Sequence, residues 1–173
     1  MWKHAVAVGI FAKIIARRAG APETSSLFTA ALMHDIGKTV LTAFVAEVFD
    51  DIIALVDSGT YSFTEAEEKV LGINHAELGA RIAESWNFPQ EIIEAIRFHH
   101  RPEASSTGGI TSFIYLADVL AVSLGIGVGR DGLSYRGKKD VLKAYGFKTK
   151  DLQMMMANFY DEFNKAQEMV KLN

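Results

Sequence analysis

No cysteine occurs in the chain, which excludes disulfides, thiolate-held metals and cysteine nucleophiles and accords with a reducing setting. Any metal must therefore be held through nitrogen and oxygen. Neither sign of charge is in large excess: the net charge of −3 and a pI near 5.9 leave no polybasic footprint for nucleic acid or for an anionic membrane surface. A membrane-length apolar run is missing as well. The longest N-terminal candidate, Ala5 to Ile15, is interrupted by Lys13 and followed by Arg17-Arg18, and no small-residue cleavage site follows it. The reading is a soluble, cytoplasmic protein with no nucleic-acid or membrane partner.

Period-two alternation of apolar and polar residues never persists, so half-buried strands are excluded, whereas apolar residues recur three and four apart almost throughout. The expected fold class is all-α, a compact helical bundle. At 173 residues, with no internal repeat and no long linker, one domain over 1–173 is the expected organisation.

The first helix is expected from Trp2 to Ala19, stopped by Gly20 and Pro22, and a second from the Pro22–Ser25 region toward His34-Asp35, with Gly37 as a left-handed cap. Lys38 to Ser58 reads as one bent helix or two short ones, closed by Gly59. Ser62 and Glu65 form a capping box for a short helix ending at Gly72. Asn74 caps a helix through His75, Leu78, Ile82 and Trp86, and Pro89 opens another that reaches His100. After a polar loop at 105–109, Ile110 to Leu124 is strongly apolar yet carries Asp118. Glycines 125, 127, 129, 132 and 137 mark a flexible connection. Two helices are expected to finish the chain, near Lys138–Tyr145 and from Thr149 to the end, the last with an apolar stripe of Met154–Met156, Phe159, Phe163 and Met169. Glu65, Glu67 and Glu68 read as a solvated helix face.

All five histidines fall in one progression: His4, His34-Asp35, His75, then His99-His100, followed by Asp118. A single histidine on an apolar helix is ordinarily a satisfied core or surface residue. The set is different, because none is left over for such duties. Neighbours on a helix point about 100° apart, so each doublet converges on one centre only where a helix is ending, and Gly37 and Pro102 supply such ends. Asp118, inside the run Phe113 to Val122, needs a compensating partner, either a cation or Arg97 or Lys38. Histidine with carboxylate suits Fe, Mn, Zn, Co or Ni better than Mg or Ca, and this many ligands favours two ions over one, with Fe or Mn first.

The segment Leu32-Met-His-Asp-Ile-Gly-Lys38 resembles the signature of the HD superfamily of metal-dependent phosphohydrolases, and the extra His75 and His99-His100 resemble its two-metal branch, which includes the HD-GYP phosphodiesterases. Trp2-Lys-His4, Leu71-Gly-Ile-Asn-His-Ala-Glu-Leu-Gly79, Ser85-Trp-Asn-Phe-Pro89 and Ile96-Arg-Phe-His-His-Arg-Pro102 are more closely similar to the HDOD family of bacterial signalling domains. The resemblance covers about residues 2–125, the expected metal-site core, with a helical extension over about 126–173.

The resemblance implies one ion held by His4, His34 and Asp118, a second by His75, His99 and His100, and Asp35 bridging them. A hydroxide between the ions would attack phosphorus while Lys38 neutralises phosphate charge, making Asp35 and Lys38 the catalytic pair. Arg97 and Arg101 are the other cations nominated near a phosphate. Two functions follow: a phosphohydrolase acting on a nucleotide or cyclic dinucleotide, or a non-catalytic regulatory module that binds a signalling protein and keeps a structural or vestigial metal. The chain departs from the HD-GYP pattern after His100, where Arg101-Pro-Glu-Ala-Ser stands in place of the Gly-Tyr-Pro loop. Family members carry a further helical half before the position of Trp2, so the resemblance also implies a surface suited to self-association.

Overall fold

The computed structural model describes residues 2–44, 48–106, 109–127 and 142–171, the side chains of 43–44 and 169–171 excepted. Every regular element among them is helical. The elements are α1 (Trp2–Arg18), α2 (Ser25–Met33), α3 (Ile36–Phe44), α4 (Phe49–Asp57), α5 (Phe63–Leu71), α6 (His75–Ser85), α7 (Gln90–Phe98), a 3-10 turn (Pro102–Ala104), α8 (Gly109–Ser123) and α9 (Thr149–Lys171).

α1 and α8 form the middle of the fold. Both are buried over most of their circumference, consistent with sequences that are apolar all round and not on a single stripe. α2 and α9 pack on α1, and α7 packs on α2 and α8. Phe11 of α1 stacks on Phe159 of α9 at 3.9 Å between ring centroids. The C-terminal stripe is thus core: Met155, Phe159 and Phe163 face inward, while Met154 remains half exposed. Met169 lies outside the described side chains. Arg18 secures the same helix by an ion pair with Asp151. A smaller apolar cluster, Ile52, Val56, Phe63 and Ala66, holds α4 against α5.

Helix ends follow their local signals. Thr24 caps α2, accepting from the Leu27 amide at 3.1 Å. Ser62 and Glu65 make the reciprocal capping box of α5, and Gly72 ends that helix at φ +73°, a left-handed conformation that glycine adopts without steric cost. Asn74 accepts from the Glu77 amide to start α6. Lys38 to Ser58 contains two helices, α3 and α4, with 45–47 outside the described residues. Most of the glycine segment and the first half of the helix expected near Lys138–Tyr145, residues 128–141, also lie outside them.

One expectation is corrected. Gly37 is not a left-handed cap; it sits in the first turn of α3 without positive φ. Its role is close approach: a Cβ there would stand 2.0 Å from the His75 carbonyl oxygen and 3.0 Å from the Gly79 amide. α3 and α6 therefore touch backbone to backbone, and that contact carries His75 up to Asp35. No helix among the described residues is long and apolar enough to cross a membrane.

Candidate metal centre

Each histidine reaches the centre from a helix terminus or a first turn. His34 is the C-cap of α2 and His99 the C-cap of α7. The two are built alike, each Nδ1–H donating at 2.7 Å to the carbonyl three residues back, Ala31 for His34 and Ile96 for His99. His4, in the first turn of α1, donates from Nδ1 to the Ile126 carbonyl at 2.7 Å. His75 opens α6 and donates from Nδ1 to Glu67 at 2.6 Å. Carbonyls and carboxylates only accept, so all four rings must carry the proton on Nδ1 when neutral. Each then presents Nε2 as a lone pair.

Those lone pairs converge on Asp35. His4 and His34 Nε2 lie 3.7 and 3.5 Å from Oδ2, and His75 and His99 Nε2 lie 3.4 and 3.7 Å from Oδ1. Asp118 stands 3.0 Å from His4 Nε2, and His100 Nε2 stands 2.9 Å from His75 Nε2. Two nitrogen lone pairs cannot face each other at that distance without a proton or a cation between them. Ligands about 2.1 Å from an ion are about 3.0–3.4 Å apart at octahedral or tetrahedral angles, close to the spacings found here. The donor atoms form two groups, Asp35 with His75, His99 and His100, and His4 with His34 and Asp118, each within 4.8 Å.

The satisfaction of polar atoms makes the same point. His34 Nε2, His99 Nε2 and Asp35 Oδ1 are buried without a hydrogen-bond partner. Leaving three such atoms unmatched costs about 1–3 kcal/mol each, whereas a cation between them would satisfy all three. The residues fit a divalent transition metal.

Electrostatics prepare the ligating forms. Burial, reinforced by Lys38 near His75 and by ring-to-ring repulsion, pushes His75 and His100 well below the usual imidazole value, and His99 is lowered to about 4. These rings are neutral at pH 7. Burial works against ionisation of Asp35, yet Lys38, 2.9 Å from Oδ2, and the surrounding rings outweigh it and hold the carboxyl well below the carboxylate range. Asp118 is likewise low, burial being outweighed by the His4 contact. Burial lowers His4, but Asp118 and Asp35 more than reverse this and raise it.

The structure thus brings together His4, His34, Asp35, His75, His99, His100 and Asp118, with Lys38 at their edge, and pairs Asp118 with His4. Three readings change. Glu67 is not on a solvated face: it is 3% exposed and accepts from both the backbone amide (3.0 Å) and Nδ1 of His75. A glutamate between two other glutamates gives no local sign of this, although helical spacing from the buried Phe63 would have turned it inward. Arg97 is not a free phosphate cation, because Glu77 and Glu84 each hold it at 2.9 Å. The stretch past Gly125, read as a flexible connection, contributes the Ile126 carbonyl that orients His4.

Comparison with known proteins agrees with this architecture. The family model of the HDOD domain matches residues 1–102. An HDOD domain protein with unknown function from Geobacter sulfurreducens shares 26% identity and a TM-score of 0.71, over 95% of this chain and 59% of its own. A proposed phosphohydrolase from Shewanella amazonensis SB2B gives 23% and 0.70 over 92% and 58%. A proposed signal transduction protein from Marinobacter aquaeolei VT8 gives 21% and 0.77 over 97% and 38%. At 23% and 21% identity, the last two speak to the fold alone. The chain spans between about two fifths and three fifths of the length of these proteins.

Proposed function

The chain belongs to the HDOD domain family, and from that premise we propose that it is a metal-binding signalling domain that hydrolyses a phosphate ester at a two-ion centre. One observation carries the proposal: the two oxygens of Asp35 face separate histidine groups, and every ring whose Nδ1 is held by an acceptor turns Nε2 inward. Bound ions, Fe or Mn before Zn, Ni or Co, supply Lewis-acid chemistry toward a phosphoryl group. Asp35 spans both positions; His4, His34 and Asp118 hold one ion and His75, His99 and His100 the other. Lys38, at the solvent edge with 14% of its side chain exposed, offsets phosphate charge. The substrate class is a nucleotide or cyclic dinucleotide, the setting the bacterial cytoplasm.

The burial of His4, His34 and Asp118 supports a second reading, a regulatory module that recognises a signalling protein and keeps its metal for structure. Elemental analysis of protein prepared without chelator, read with a phosphodiesterase screen of the same sample, separates the two. About two equivalents of metal with turnover establishes the hydrolase. Metal without turnover supports the module, and absence of metal overturns both.

A further inference from the structure

The metal centre meets solvent on one side. His4, His34, His75, His99 and Asp118 are buried, while Asp35, Lys38 and His100 are only partly so. On that side lies a cavity of about 310 Å³ that His100 lines directly. Phe63, another lining residue, packs 6.3 Å from the His75 ring and 5.9 Å from Lys38 Nζ. The inner end of the cavity therefore adjoins the ligand group built around His75, His99 and His100.

Its charged lining residues are of both signs. Arg97 lines it but is held between Glu77 and Glu84. Arg101, next in sequence to His100, makes no ion pair among the described residues and is the cation left to meet an anion there. The Arg101 backbone, at φ −138° and ψ 67°, has left the helical region ahead of Pro102. The remaining charged groups are acidic: Glu65, Glu68 and Glu103, all exposed. A ligand here meets one unpaired cation, next in sequence to His100, together with three carboxylates.

We propose that this cavity seats an ester carrying a single phosphoryl group, bound through Arg101 at the metal end, with an uncharged, hydroxyl- or amine-bearing body facing Glu65, Glu68 and Glu103. This rests on the metal-centre reading above and narrows it. Carboxylates accept hydrogen bonds from hydroxyl and amine groups, so they suit a nucleoside-like body. They repel further phosphates, for which the cavity offers no second unpaired cation. The volume is at the small end of ligand cavities and matches a mononucleotide-sized molecule better than a larger one.

The test is calorimetric titration of the Mn-loaded chain with inorganic phosphate, AMP and ATP, with metal content measured on every sample. AMP should bind at least about tenfold more tightly than either phosphate or ATP, a difference of about 1.4 kcal/mol. Arg101→Ala should weaken AMP at least about tenfold with metal content unchanged, and Glu68→Gln combined with Glu103→Gln should raise ATP affinity. ATP bound as tightly as AMP, or Arg101→Ala without effect on AMP, overturns the proposal while leaving the metal centre standing. A chain that takes up no metal overturns the metal-centre reading and this one with it.

Discussion

The two ligand groups are made from the same residue types but are held differently. His4, His34 and Asp118 are closed off, with two rings fixed by backbone carbonyls from Ile126 and Ala31. His75, His99 and His100 adjoin a cavity, and His75 is fixed by a side chain, Glu67. A carbonyl is a neutral dipole that moves only with the backbone. A carboxylate adds charge, strengthens the ring as a donor to metal, and belongs to a helix, α5, packed mainly on the satellite α4 cluster. The closed group is thus set by the main bundle; in the open group His99 is held the same way, by the Ile96 carbonyl, whereas His75 depends on the peripheral cluster.

Asp35 joins the two, so its removal is the most severe way to break the contrast. Asp35→Ala should reduce metal from about two equivalents to none and abolish hydrolysis; retention of one ion by mass spectrometry of the metal content would show that the groups are independent. Gly37→Ala should follow. Its Cβ has no room against the His75 carbonyl, and a loss of about 3 kcal/mol or more in denaturant unfolding is expected, with the open group displaced first.

Glu67→Gln sharpens the comparison more selectively. It keeps a hydrogen-bond acceptor but removes the charge, and metal titration should show about 10- to 100-fold weaker binding at one of the two sites. Equal weakening at both would mean that the two groups do not act separately. Lys38→Ala should be milder: both metals retained, hydrolysis about tenfold slower.

Acidification probes the same contrast without mutation. His99 is lowered to about 4 in the folded chain, and His75 and His100 are also lowered, so the unfolded chain binds more protons in mildly acid solution. Stability of the metal-free protein should therefore fall as the pH drops from about 6.5 toward 4. His4 runs in the opposite sense: its raised value contributes stability at low pH that is lost as the pH rises through that value. Thermal unfolding at a series of pH values, compared between the parent and a His4→Gln variant, should show the acid-side loss in both and the alkaline-side loss in the parent alone.

Much of the architecture was legible locally. The Ser62–Glu65 box, Gly72, Asn74 and Pro89 mark their helix boundaries because a cap acts within one turn of itself. The ligand set was legible because five histidines and Asp118 have no economical use except together. Glu67 was not, because its neighbours Glu65 and Glu68 are exposed and its partner lies in the next helix. Arg97 misled in the opposite direction: a cation near His99-His100 looks available, but its two glutamates, Glu84 and Glu77, stand 13 and 20 residues before it, in the preceding helix.

By itself, then, the sequence determined the residue chemistry: nitrogen and oxygen ligands without thiolate, doublets at helix ends, and an all-helical chain. Tertiary structure alone decided how each ligand is aimed. The contact of Gly37 with His75, the carbonyl of Ile126 at His4, 122 residues away, and the carboxylate of Glu67 are made between separate segments of the chain. Capping and periodicity act over a few residues, whereas a metal centre is a convergence of distant segments, and its geometry exists only once their backbones have packed.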